Sequence, residues 1–253
     1  MKLFYRQYGE RGMPLVILHG LFGQSDNWTS LARAWSEQYR VFVLDQRNHG
    51  QSPHAEIFDY PSMAEDLRET LDSLGLEKIY LLGHSMGGKT AMFFALKYPE
   101  RIEKMLVADI GPRYYRPHHT DIIAGLQSVK PETLSSRAEA EQRLSTLVPE
   151  ASTRQFLLKN LYRTEEGGFA FRFHLSAIAS QIEHIGKAVP PETSTVETLF
   201  VRGENSRYIL PEDWPAIQAQ FPNATLETIA GAGHWLHAEK PSEFSAIVLN
   251  CFR

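Results

Sequence analysis

The sequence has little cysteine, no long apolar run and no excess of basic charge. Cys251 is the only cysteine among 253 residues, so the chain forms no internal disulfide and nothing indicates an oxidising compartment. No apolar stretch reaches the about 18 residues that cross a bilayer, and the first residues lack the apolar region of a signal peptide. A formal net charge of −4 supplies no basic field for nucleic acid or an anionic membrane. We expect a cytoplasmic protein that binds neither of them.

The apolar residues that are present alternate between strand and helix patterns. The 43% hydrophobic and 22% charged content is ordinary for one globular core. Short unbroken apolar runs are typical of strands covered on both faces, and strands that alternate with helices predict a parallel sheet. The predicted strands are Leu3–Tyr8, Pro14–Leu18, Arg40–Leu44, Lys78–Leu82, Ile102–Ala108, Val196–Gly203 and Thr225–Ile229.

This alternation stops between residues 113 and 189. A connection between two strands normally takes a few residues, so an insertion of this size predicts a separate helical cap, or lid. The core is then residues 1–112 and 190–253. The predicted helices of the cap are Asp121–Val129, Ser136–Val148, Ala151–Arg163 and Leu175–Lys187, with a loop at Glu165–Gly168.

Gly83 and Gly87 flank Ser85 in the pattern G-x-S-x-G, where a predicted strand turns into a helix. The pattern is typical of a nucleophile elbow, in which glycines leave room for a serine held in a strained turn. Free N–H groups at the start of the helix favour a developing anion. We predict that Ser85 is a nucleophile and that Met86 N–H is one oxyanion donor. A plain turn serine is the alternative, which the flanking residues disfavour.

A serine hydroxyl is a weak nucleophile and needs a base, which a third group holds in the right tautomer. Histidine is the base whose pKa suits this task. His234 lies in a glycine-rich loop after the last predicted strand, downstream of Ser85. We therefore predict His234 as the base, and His237, three residues on, stays as the alternative.

Four motifs together carry a resemblance to the α/β-hydrolase superfamily over the whole chain. They are the elbow, His19-Gly20, Asp45-x-Arg47-x-His49-Gly50-x-Ser52 and Gly233-His234. The resemblance implies an α/β fold with a mostly parallel central sheet, helices on both faces and a helical cap inserted after the sixth strand. The loop after His19-Gly20 should supply the second oxyanion donor, Leu21 N–H or, next, Phe22 N–H. We interpret the residues from Asp45 to Ser52 as structural turn chemistry.

The third group of the predicted triad, an acidic residue that orients the histidine, departs from the pattern of that superfamily. Most members have aspartate in a G-x-x-D pattern after the seventh strand, whereas this chain has Ser206 at that place in Gly203-Glu204-Asn205-Ser206. Asp109 ends the strand expected beside the elbow strand, and neighbouring strands lie about 4.8 Å apart. We predict Asp109 as the acid and keep Glu204 as the alternative.

A narrower resemblance is to the YbfF-type bacterial esterases. It rests on His19–Gly23, Gly83–Lys89 and Val107–Pro112. It implies an acid after the sixth strand and a serine esterase that accepts coenzyme A thioesters as well as simple esters, through an acyl-enzyme. It implies no metal or organic cofactor and a small-molecule partner, and the protein is expected to be a monomer or homodimer. Adjacent His118 and His119 lack a metal-ligand set.

Four residues are predicted to contact substrate. Phe22 and His84 adjoin the catalytic motifs, while Arg113 and Arg116 belong to a basic and aromatic cluster at the cap entrance that can meet phosphates or an acidic acyl group. The alternative for that cluster is a solvated hinge. Other functions of the same fold stay open: carbon–carbon bond hydrolysis, perhydrolysis, or binding of a small ligand without turnover.

Overall fold

The computed structural model describes residues 1–253 and contains nine strands. Seven of them form one sheet in the order β1-β3-β2-β4-β5-β8-β9, and β6 and β7 form a separate hairpin. Only β1 runs antiparallel to its neighbour within the large sheet, so the predicted mostly parallel sheet is confirmed. The strands are β1 Tyr5–Tyr8, β2 Pro14–Leu18, β3 Arg40–Leu44, β4 Ile79–His84, β5 Ile102–Ala108, β6 Leu161–Arg163, β7 Phe169–Phe171, β8 Thr198–Gly203 and β9 Ala224–Ile229.

Helices cover both faces of this sheet. Val16 and Leu18 face one core with α2, α3 and α9, while Leu15 and Ile17 face a second core with α1 and α11. Burial on both faces is why these strands read as unbroken apolar runs. The helices are α1 Thr29–Trp35, α2 Tyr60–Ser73, α3 Met86–Lys97, α4 Thr120–Val129, α5 Arg137–Ser145, α6 Ala151–Leu158, α7 Leu175–Ser180, α8 Ile182–Gly186, α9 Trp214–Gln220, α10 Leu236–Glu239 and α11 Pro241–Cys251.

Most buried members of a third apolar cluster come from residues 113–189, which are called the cap segment below. This cluster joins cap residues to Phe22, Tyr60 and Met86 of the core. The two ends of the segment meet at Lys89 of α3, whose buried ammonium donates to the Arg113 carbonyl at 2.7 Å and to the Lys187 carbonyl. The segment therefore leaves and rejoins the core beside the helix that begins at the elbow.

Two predicted elements were wrong, and so was the number given to one strand. Leu161–Arg163 is a strand, because Gly167 with φ of 88° closes a hairpin in which Thr164 N–H donates to Gly168 O at 2.9 Å. The predicted helix over 175–187 is broken at Gln181, which has φ of −112°. The strand before the cap is fifth in chain order rather than sixth, because a single strand precedes β2. None of these errors moves a predicted site residue.

No helix combines the length and the apolar character that crossing a membrane requires.

Candidate active site

The elbow forms where β4 ends at His84 and α3 begins at Met86. Ser85 between them has φ of 53° and ψ of −119°, a backbone conformation that costs a non-glycine residue about 1–3 kcal/mol. A Cβ on Gly83 would lie 2.3 Å from Gly87 O, and one on Gly87 would lie 2.3 Å from Leu18 O. Both glycines are therefore required for the strand and the helix to pack this closely around the serine.

Ser85, His234 and Asp109 form one chain of hydrogen bonds. Ser85 Oγ lies 3.0 Å from His234 Nε2, and His234 Nδ1 lies 2.7 Å from Asp109 Oδ2. Because a carboxylate only accepts, the proton of the neutral ring is on Nδ1 and the Nε2 lone pair faces the serine hydroxyl. The structure brings together these three predicted residues.

Asp109 reaches the histidine because β5 is the neighbour of β4, with Ala108 opposite His84. Its side chain is fully buried and its φ is 52°. The carboxylate also accepts from Gly203 N–H at 3.1 Å and from the Ser206 hydroxyl. Ser206 therefore contacts the acid from the place where aspartate was expected, and sequence reasoning missed this contact.

Glu204, the alternative acid, makes no hydrogen bond to His234. Its carboxylate is exposed and accepts from Gly231 N–H at 2.7 Å. His237, the alternative base, stacks on Trp28 with ring centroids 4.3 Å apart. Burial lowers the pKa of His237 to about 3, so its ring is neutral. Both alternatives have structural contacts of their own away from the serine.

The two predicted oxyanion donors, the N–H groups of Leu21 and Met86, donate no hydrogen bond within the chain. Phe22 N–H, the other predicted donor, is already bound to His49 Nε2 at 3.1 Å. Leu21 lies in a turn that Gly23 N–H closes on Gly20 O at 2.9 Å. The geometry leaves Leu21 and Met86 free to bind an oxyanion.

The residues from Asp45 to Ser52 pack against the turn that contains Leu21. The His49 Nδ1 proton is bound to Arg47 O at 2.9 Å, and His19 Nε2 accepts from Gln46 N–H at 3.0 Å. Burial lowers the pKa of His49 to about 3 and that of His19 to about 4, so both rings stay neutral. The structural interpretation of this motif fits its contacts, but the bond from Phe22 to His49 was not predicted.

His234 is held both at its ring and at its backbone. Tyr208 stacks on it with centroids 4.0 Å apart and an interplanar angle of 21°. His84 Nε2 lies 2.9 Å from the His234 carbonyl, to which it donates because carbonyls only accept. Burial, with neighbouring His237 and His234, lowers the pKa of His84 well below its usual value. Neutral aromatic groups thus fix the orientation of the predicted base.

Two cavities meet at Ser85. The larger, of about 700 Å³, is lined by His234, Phe22 and His84. The smaller, of about 40 Å³, is mainly apolar, and its lining includes Leu21, Met86, Ile110, Ile182, Ile185 and Arg116.

Of the predicted substrate contacts, Arg113 lies outside the two cavities. It lines neither of these cavities, because its guanidinium pairs with the Asp213 carboxylate at 3.1 Å and lies over the Tyr115 ring. The hinge alternative describes its place in the structure.

Comparison with known proteins agrees with this geometry. A family model described as the alpha/beta hydrolase fold matches residues 13–132. Esterase YbfF of Escherichia coli is 37% identical over 90% of this chain and 88% of its own length. The chain belongs to the α/β-hydrolase family. The resemblance to YbfF-type esterases is confirmed.

This α/β-hydrolase is similar to further enzymes that are named for ester chemistry. The sn-1-specific diacylglycerol lipase ABHD11 of Mus musculus is 41% identical over 93% of this chain and 80% of its own length. A solved marine microorganism esterase superposes with a TM-score of 0.96, at 43% identity and 99% coverage of both chains. This α/β-hydrolase is a serine hydrolase that acts on esters. No group of three or more His, Cys, Asp or Glu side chains is arranged to hold a metal ion.

Proposed function

We propose that Ser85 attacks the acyl carbonyl of an ester, with His234 as base and Asp109 as the orienting acid. The hydrogen-bonded chain from Ser85 Oγ through the imidazole to the buried carboxylate carries this proposal. His234 Nε2 takes the serine proton as the Ser85 Oγ–carbon bond forms, and Asp109 stabilises the imidazolium. His234 then gives that proton to the leaving oxygen, and the ester bond breaks.

The acyl-enzyme is released by the same groups in reverse roles. Water gives a proton to His234 as its oxygen attacks the acyl carbon, and the proton returns to Ser85 Oγ when that bond breaks. In both half-reactions the carbonyl oxygen becomes negative beside the N–H groups of Leu21 and Met86. The loss of one such donor costs about 2.7–4 kcal/mol of transition-state stabilisation.

The position of His234 supports a separate role for each of the two cavities. The leaving group must lie on the His234 side to receive its proton, and His234 lines only the larger cavity. The acyl chain then enters the smaller cavity. Its volume of about 40 Å³ holds about three water-sized groups. We infer a preference for short acyl chains, of about two to four carbons, on a larger alcohol.

The charge of the larger cavity favours neutral leaving groups. Its charged lining side chains are Glu150, Lys159 and Glu239, two carboxylates against one ammonium. The phosphates of coenzyme A gain little there, so the acyl-CoA thioesters suggested by the sequence should be hydrolysed less efficiently than neutral esters. A glycerol ester fits this chemistry, and ABHD11 is named for diacylglycerol.

The test is a set of p-nitrophenyl esters and acyl-CoA thioesters, both from acetyl to decanoyl. We expect the highest kcat/KM with acetyl to butanoyl esters, a burst of p-nitrophenol, and loss of turnover in Ser85→Ala but not in Ser145→Ala, an exposed control. Full activity of Ser85→Ala would end the proposal. Tight substrate binding without turnover in the wild type would favour a binding protein. A cytoplasmic location and a monomer or homodimer stay predictions.

A further inference from the structure

The turn that carries Leu21 is closed around a residue with unfavourable backbone geometry. Gly23 N–H bonds to Gly20 O at 2.9 Å, which makes Phe22 the third residue of a β-turn, and its φ is 59°. This is the type II pattern, whose third position favours glycine. A phenylalanine stays there only because its surroundings hold it.

Hydrogen bonds clamp both peptide units of Phe22. Its N–H donates to Nε2 of His49, a core residue, over a distance of 3.1 Å. Its carbonyl accepts from Nδ2 of Asn160, a residue of the cap segment, over a distance of 2.8 Å. Leu21 N–H belongs to the peptide unit immediately before this pair. The cap segment therefore holds the backbone of the turn directly.

Asn160 is itself fixed in one orientation. Its side chain is buried, with 1% exposed, and Nδ2 also donates to Leu157 O at 3.2 Å. A flipped amide would place Oδ1 against two carbonyl oxygens, which repel it, so the observed orientation is the stable one. The Asn160 carbonyl accepts from Arg172 N–H at 3.0 Å, so the hairpin of the cap segment holds its backbone as well.

We propose that Asn160 is a positioning residue, supplied by the cap segment, that keeps Leu21 N–H aimed at the oxyanion. It does not touch the reacting atoms and acts through the Phe22 carbonyl. If the Asn160 bond is lost, Phe22 relaxes toward negative φ and the turn moves away from Ser85. This inference rests on the proposed function, since it requires an oxyanion at Leu21.

The test compares Asn160→Ala and Asn160→Ser with His54→Ala. His54, an exposed residue, makes a different bond from core to cap, from Nε2 to Arg172 O at 3.2 Å. We expect kcat of the Asn160 variants to fall about ten- to a hundredfold, while KM changes less than about threefold. This fall in kcat is smaller than the one expected when an oxyanion donor is removed completely. The affinity for a trifluoromethyl ketone, whose adduct with Ser85 carries an oxyanion, should fall by the same factor. His54→Ala should keep both values.

A double-mutant cycle with Phe22→Gly separates positioning from a general loss of structure. Glycine adopts positive φ without strain, so Asn160→Ala should cost several-fold less in kcat in the Phe22→Gly background. If Asn160→Ala does not fold, Asn160→Ser is measured in the same cycle, because its hydroxyl is too short to reach Phe22 O. Wild-type kcat and ketone affinity in the Asn160 variants, or equal losses in both backgrounds, would overturn the inference. Failure of the proposed function would appear separately, as activity of Ser85→Ala.

Discussion

The contact between Ser206 and Asp109 predicts that the triad acid can be moved from one strand end to another. The Ser206 hydroxyl and His234 Nδ1 both bind Oδ2 of Asp109, so position 206 lies within two hydrogen bonds of the imidazole. An aspartate side chain reaches one bond further than serine. If Asp109 is shortened, a carboxylate at position 206 can enter the space that the Asp109 carboxylate leaves.

Asp109→Gly is the variant that creates this space with the least backbone cost, because the φ of 52° suits glycine. Alone, it should lower kcat about 10⁴-fold, as expected when a triad histidine loses its acid. Adding Ser206→Asp should recover about ten- to a hundredfold of that loss, which corresponds to about 1.4–2.7 kcal/mol. Full recovery is not expected, because the new carboxylate lacks the alignment of the native one.

The assay is kcat for a short p-nitrophenyl ester over a range of pH. Asp109→Gly combined with Ser206→Asn is the control, since it fills the same space without charge. Glu204→Gln should keep wild-type activity, because its carboxylate only binds Gly231 N–H. Equal activity of the two double variants, with Ser206→Asp and with Ser206→Asn, would refute the relocation. A large loss in Glu204→Gln alone would refute the assignment of Asp109.

Three further predictions concern Lys89, the acyl cavity and the elbow. Burial lowers the pKa of Lys89 to about 7. Between pH 7 and 9 the unfolded chain keeps this proton and the folded chain releases it, so the folded state becomes more stable as the pH rises. In urea unfolding, the free energy of unfolding of the wild type should increase by about 1–3 kcal/mol relative to that of Lys89→Met over this pH range. A difference between the two proteins that does not change with pH would contradict this. Ile182→Ala should enlarge the smaller cavity and move the best p-nitrophenyl ester to longer acyl chains, and an unchanged chain-length profile would contradict the cavity assignment. Gly87→Ala should yield no active protein because its Cβ meets Leu18 O at 2.3 Å, whereas Gly75→Ala, with φ of 64° and no neighbour, should cost only about 1–2 kcal/mol in thermal unfolding.

The parts of the site that follow from local pattern were predictable from the sequence. Ser85 was found because an apolar strand, two glycines and an apolar helix adjoin it in the chain. Asp109 was found because consecutive strands commonly lie side by side, so two strand ends meet at one edge of the sheet.

The residues that were missed act across long distances in sequence. Asn160 binds Phe22 from 138 residues away, and Ser206 binds Asp109 from 97 residues away. Asn160 belongs to no periodic pattern or short motif, and the pattern at Ser206 predicts an aspartate that binds the histidine rather than a serine that binds the acid. The same limit explains the hairpin at Leu161–Arg163, whose short apolar run fits a helix end as well as a strand until its partner is known.

The start of α2 shows how local signals compete. Ser62 and Glu65 have the spacing of a capping box, but Asp59 caps the helix and accepts from Ser62 N–H at 2.9 Å. Glu65 instead binds Lys97 and Tyr98 of the neighbouring helix end. Asp59 and Ser62 each fit the first position of a helix, and the tertiary contacts of Glu65 decided in favour of Asp59.

The positive φ of Ser85 has a consequence for laboratory evolution. Glycine relieves steric strain at this position, and most proteins can be made more heat-resistant by local changes. A selection for thermostability alone is therefore expected to favour glycine in place of Ser85, where hydrolysis depends on the native side chain. Libraries of this enzyme should be screened for turnover and melting temperature together, so that hardier but inert variants are discarded.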